Sequence, residues 1–169
     1  MAALAHLGVG LAAKRIAPEI PVGYLILGSY AIDVLWFAFY FGGIHLHPKR
    51  DFMYPTVWTH SLPMATVWSV IAAVIAIRFL RSARAAVIFG LVVFSHWAVD
   101  FITHPMTAVM PQDQGVPLWF YGSPMIGLGM YRTLFGTYAG EFGALAPGII
   151  IYILARMKFQ SASVRTAQA

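Results

Sequence analysis

Apolar residues run along this chain in long blocks, with little of the alternation that marks strands. A helix needs about 20 mostly apolar residues to cross a hydrocarbon core, and four blocks are that long. The first covers 22–42 and is interrupted by one charge, Asp33. The second covers 62–80, with Pro63 in its first turn, where a missing N–H costs little. The third covers 85–103 and stops before Pro105. The fourth covers 138–155, and Pro147-Gly148 predicts a kink in it. An earlier apolar block, 2–13, is too short to span upright and predicts a re-entrant or interfacial helix. A cleaved signal peptide fits it badly, because Lys14 and Arg15 follow the apolar run instead of preceding it. Residues 160–169 are polar and read as a frayed tail. No repeat, low-complexity tract or linker divides the chain. The expected fold is all-α: a single membrane domain over 1–169, with four transmembrane helices and a short N-terminal apolar helix over 1–15.

Composition agrees. Of 169 residues, 60% are hydrophobic and only 10% charged, against roughly 25% charged in an ordinary soluble domain. The absence of cysteine removes disulfide scaffolds, thiolate metal sites and thiol nucleophiles. The net charge of +5 raises the question of nucleic acid. Placement answers it, because the basic residues cluster beside the apolar blocks, as they do around membrane spans. Lys14, Arg15, Arg78, Arg81, Arg84, Arg156, Lys158 and Arg165 fall on one side of a four-span topology, and Lys49, Arg50 and Arg132 on the other. The positive-inside rule puts the first side, with both termini, in the cytoplasm. The loops over 43–61 and 104–137 then face outward, with Trp119, Phe120 and Tyr121 as interface anchors.

The informative residues are the polar ones inside apolar blocks. Asp33, Asp100 and Glu141 lie within or beside predicted spans. An acid at mid-bilayer costs roughly 2.5–3.5 kcal/mol on insertion scales, so these acids need protons, partners or a metal. Lys and Arg sit at the span ends, which leaves histidines as partners. His96, Asp100 and His104 follow one another at i, i+4 and i+8, on one helix face. Imidazole and carboxylate are ligands of zinc and similar divalent ions. One straight helix cannot wrap an ion with all three, since the outer two are about 12 Å apart by rise. Two neighbours can share an ion, and the third then serves a second ion or supports the first. His60, at the head of the second block, and Glu141 fall near the outer ends of their helices, like His104, with Asp100 and His96 one and two turns deeper and Asp33 near the middle of the first span, so these positions point to one cluster in the outer half of the membrane. His6 joins only if the N-terminal segment re-enters. His45 and His47, in an outer loop, read as solvated.

At these residues the chain resembles a family of bacterial membrane-bound metal-dependent hydrolases. The resemblance runs through Ala5-His6-Leu7-Gly8-Val9-Gly10-Leu11, Ala31-Ile32-Asp33-Val34-Leu35-Trp36, Thr59-His60-Ser61-Leu62 and Ser95-His96-Trp97-Ala98-Val99-Asp100, and includes Gly115-Val116-Pro117-Leu118-Trp119. It implies a bacterial inner-membrane location and His6, Asp33, His60, His96 and Asp100 as metal ligands. A distant similarity to zinc-dependent phospholipase C implies phosphoester or lipid chemistry. There is one departure: many relatives have Arg-Pro-Asp after the last histidine of the third span. Here His104 is followed by Pro105-Met106-Thr107, and the nearest later acid is Asp113.

Three functions compete. The first is a hydrolase that uses one or two divalent metals, zinc foremost, on an amphiphilic substrate among membrane lipids. Its metal ligands are drawn from His6, Asp33, His60, His96, Asp100 and His104, and Glu141 or Asp100 is its proton-transfer group. The second is a proton or ion pathway, which needs a homo-oligomer at this size. Against it, no ionisable residue lies between Arg84 and His96 on the third block. The third is a non-catalytic subunit of a larger membrane complex, in which the cluster is a structural metal site or a buried polar network.

Overall fold

In a computed structural model, residues 2–42 and 53–167 are described. They form an all-helical bundle with one minimal strand pair. The helices are α1 (Ala3–Ala13), α2 (Val22–Ser29), α3 (Ala31–Phe41), α4 (Met53–His60), α5 (Leu62–Leu80), α6 (Ala83–Thr103) and α7 (Leu134–Ala167). Between α6 and α7 a loop carries β1 (Val116–Pro117) antiparallel to β2 (Met125–Ile126), with Val116 opposite Ile126.

Three helices, α5, α6 and α7 up to Gln160, are long and apolar enough to cross a membrane, and α2 with α3 makes a fourth if the bent pair is one span. Their outer surfaces carry large apolar side chains: Val67, Val70, Ile71, Val74 and Ile75 along α5 are all exposed. Among the described residues, polar side chains instead lie inside, with His6, Ser29, Thr59, Ser61, His96, Asp100 and Thr103 buried. This inversion belongs to a protein whose solvent is lipid.

The structure departs from the sequence expectation in four places. The first span is not one helix but two, bent by 57° at Tyr30. Gly28-Ser29 sits at the bend, and the Ser29 hydroxyl donates back to the Ile26 carbonyl at 2.8 Å. Both features weaken a helix locally. Residues 53–60, expected as loop, form α4, whose Thr56 hydroxyl accepts from Trp36 Nε1 at 2.9 Å. The last helix starts before 138, holds Pro147 inside it and extends to Ala167, so 160–167 are helical. His104, expected on the face of α6, is its C-cap in an extended conformation, with α6 ending at Thr103. His45, His47, Lys49 and Arg50 lie outside the described residues.

The N-terminal helix enters the bundle. It packs along α7 through a close approach at Gly8, where a Cβ would stand 2.3 Å from the Ala144 carbonyl oxygen. Gly148 faces Gly8 in turn, with its own Cβ position 2.3 Å from the Gly8 oxygen. Small residues facing one another let two backbones nearly touch, the usual device for joining helices in lipid.

Candidate metal centre

The bend in the first span sets up the site. A continuous helix would use the Ser29 carbonyl internally. The break frees it, and His96 Nδ1 donates to it at 2.8 Å. The next helix begins at once, and Asp33 lies in its first turn. The bend therefore does two jobs within five residues: it anchors an imidazole of α6 and aims a carboxylate at the same place.

A similar second contact holds His60. The Thr59 hydroxyl donates to the Pro55 carbonyl at 2.7 Å, so only its lone pairs are left for His60 Nδ1, 2.8 Å away. His104 has the third: its Nδ1 is 2.7 Å from Asp113 Oδ2. The Ser29 carbonyl and the Thr59 hydroxyl each accept a hydrogen bond from Nδ1, which leaves Nε2 of His96 and His60 bare in the neutral ring. Second contacts of this kind fix the tautomer of metal-binding histidines.

Both bare Nε2 atoms point at carboxylates. His60 Nε2 is 3.3 Å from Asp33 Oδ1 and 3.7 Å from Asp100 Oδ2. His96 Nε2 is 3.5 Å from Asp33 Oδ1 and 3.3 Å from Asp100 Oδ2. Nitrogen and oxygen thus alternate around a closed ring of four donors. The other oxygen of Asp100 has its own pair, His6 Nε2 at 3.4 Å and His104 Nε2 at 3.8 Å. His6 also stacks on His96, with ring centres 3.9 Å apart and planes 5° from parallel. α1 thus brings His6 into the cluster.

These residues fit a cation. Neighbouring donors held about 2.0–2.2 Å from one ion are about 3.3–3.6 Å apart, close to the four sides of the ring, 3.3–3.7 Å. His96 Nε2 and both ring nitrogens of His6 are buried with no hydrogen-bond partner, a costly state unless something fills it. Lone pairs facing carboxylates repel, and only positive charge, as protons on the rings or a metal, reconciles them. Two triads, His6–His96–Asp100 and Asp33–His60–His96, each gather their donor atoms within 4.8 Å. His6, His96 and Asp100 are buried, while 19% of the Asp33 side chain and 16% of His104 remain exposed.

Glu141 is placed elsewhere. Its Oε2 accepts from the Ala5 amide at 2.8 Å, capping the otherwise orphaned first turn of α1. Among the described residues it makes no ion pair with the six clustered side chains. The expectation of a proton-transfer group there meets a carboxylate already engaged with a helix end. Beside it, Tyr131 is buried. Burial, then Glu141 and Asp100, push its phenol up, so the hydroxyl stays neutral.

Sequence reasoning left Thr59 and Ser29 without a role and saw Asp113 only as a distant acid. Thr59 is adjacent to His60, so its role was open to a local argument. The Ser29 carbonyl had no such signal, because a backbone acceptor depends on where the helix breaks. Asp113 reaches His104 through a loop that doubles back. The Gly129 amide donates to the His104 carbonyl at 2.7 Å. Gly127, at φ 155°, passes where any Cβ would be 2.0 Å from that oxygen. Asp113 also accepts from the Met106 and Gly115 amides. Burial opposes its ionisation, but His104 and the two amides outweigh that and hold its carboxyl below the usual carboxylate range.

Comparison of the chain with protein-family models, with curated proteins and with solved structures finds no match.

Proposed function

We propose that this chain is an integral membrane metal-dependent hydrolase that cleaves an amphiphilic phosphoester. The observation that carries the reading is the ring of four alternating donors, Asp33, His60, Asp100 and His96. Two carboxylates with neutral imidazoles match the charge of one divalent ion, and this donor set suits zinc or manganese. A divalent ion there supplies Lewis acidity and eases the deprotonation of water near neutral pH. The chain's own residues hold the rest in place. Ser29 and Thr59 keep His96 and His60 in the metal-binding tautomer. Asp33 forms the exposed edge, and the apolar walls keep bulk water from the buried edge. Asp100, with each oxygen between two imidazoles, serves as a ligand, which removes it as general base.

The lopsided distribution of Lys and Arg supports both termini in the cytoplasm, and the family resemblance implies a bacterial inner membrane. The cluster then lies toward the outer end of α6, near the acyl–headgroup boundary. Trp119, Phe120 and Tyr121 are exposed on the loop beyond it, and Trp58 of α4 meets Phe120 at 5.8 Å between ring centres. An aromatic rim of that kind suits a substrate with a lipid tail.

The test is release of phosphate or headgroup from lipid phosphoesters by detergent-purified protein loaded with zinc, manganese or magnesium. The expected result is turnover that disappears, together with bound metal, in His96→Ala. A metal that raises the melting temperature with no turnover under any of the three loadings would instead favour a non-catalytic subunit with a structural metal. Glu141, engaged as a helix cap, is the observation on the side of that second reading.

A further inference from the structure

Asp100 offers two oxygens to two separate sets of imidazoles. Oδ2 belongs to the ring with His60, His96 and Asp33. Oδ1 faces away from that ring, toward His6 Nε2 at 3.4 Å and His104 Nε2 at 3.8 Å. His6 is 1% exposed and neither of its ring nitrogens has a hydrogen-bond partner, so the ring does not account for it. His104 comes with its own orienting acid, Asp113 at 2.7 Å. A carboxylate that merely neutralised one ion would not need this second pair of imidazoles.

We propose that the cluster holds two divalent ions bridged by the Asp100 carboxylate, the second bound by His6, His104 and Asp100 Oδ1, with Asp113 as the residue that positions His104. This rests on the metal-site reading above and extends it. The first site draws on four protein donors. The second has three, the number that leaves a coordination place open in catalytic sites. Charge points the same way. Two divalent ions exceed the charge of Asp33, Asp100 and Asp113 together, and an anionic ligand makes up the deficit. A phosphoester is such an anion, and the partly exposed His104 marks the side from which it would enter.

The experiment uses the full chain in detergent micelles, freed of metal and titrated with Mn(II), with bound metal measured by elemental analysis and the spins by paramagnetic resonance. The expected result is two equivalents per chain with an exchange-coupled spectrum, which requires no variant. His104→Ala and Asp113→Asn should weaken the second equivalent by about 10–100-fold, the usual scale for lost metal-site support, and leave the first unchanged. Their helicity by circular dichroism controls for folding. Saturation at one equivalent would overturn the second ion and leave the single-ion reading standing. Two equivalents with uncoupled spectra would overturn the Asp100 bridge. No bound metal at all would overturn both this inference and the reading it rests on.

Discussion

His6 and His96 lie ring on ring, 3.9 Å between centres, and the contact depends on how closely α1 sits against α7. Gly8 sets that approach, because a Cβ there would stand 2.3 Å from the Ala144 carbonyl oxygen, a backbone atom that cannot swing aside. Gly8→Ala should therefore push α1 outward, destabilise the protein by about 1–3 kcal/mol and withdraw His6 from the cluster. Gly143→Ala is the control. Nothing lies within 4 Å of its Cβ position, and Ala in a helix interior should be neutral or stabilising by up to about 1 kcal/mol. Thermal unfolding of both variants in one detergent checks the contrast, and equal stabilities would refute the packing argument.

Thr59→Val keeps the shape of the side chain and removes the acceptor for His60 Nδ1. The imidazole is then free to place its proton on Nε2, facing Asp33. Metal affinity should fall by about 10–100-fold while the protein stays helical. Competition with a chromogenic chelator measures this. An unaltered affinity would mean that the 2.8 Å Thr59–His60 contact does not orient the ligand.

For Glu141 the two roles predict different patterns. As a cap on α1, Glu141→Gln retains an acceptor for the Ala5 amide and should leave stability near wild type. Glu141→Ala removes it and should cost about 0.5–2 kcal/mol. Neither should release metal. If Glu141→Gln abolishes turnover with stability and metal intact, the carboxylate moves protons as well as capping. If Glu141→Gln loses metal, it is a ligand.

Asp113 makes the metal-free protein sensitive to acid. Its folded carboxyl titrates below the ordinary range, and the unfolded one near about 3.9. A depressed folded value contributes stability that is fully present above the unfolded value and is lost as pH falls toward and through the folded one. Wild type should thus exceed Asp113→Asn in melting temperature by most at pH 6–7, on the order of the neutral plateau of such a group. The gap should shrink below about pH 4. A gap that holds constant into acid would show that ionisation of Asp113 contributes nothing.

Much of this molecule was legible from one-dimensional signals. The second span, 62–80, coincides with α5, because bilayer thickness converts directly into a length of apolar sequence. The cost of charge in hydrocarbon singled out Asp33 and Asp100, and helical spacing put His96 and Asp100 on one face. Gly28-Ser29 weakens the helix before Tyr30, but whether it bends there depends on whether a neighbouring helix offers the freed Ser29 carbonyl a partner. Nor did spacing foretell that α1 would enter the bundle: that rests on Gly8 meeting Ala144 and Gly148, which lie near the opposite end of the chain. Glu141 shows the same limit, since an acid in an apolar block looks alike whether it caps a helix or serves a reaction. The hydrophobic effect and the cost of buried charge act residue by residue and can be read along the chain. Which backbone group is left free, and which side chain reaches it, is decided only when the helices meet.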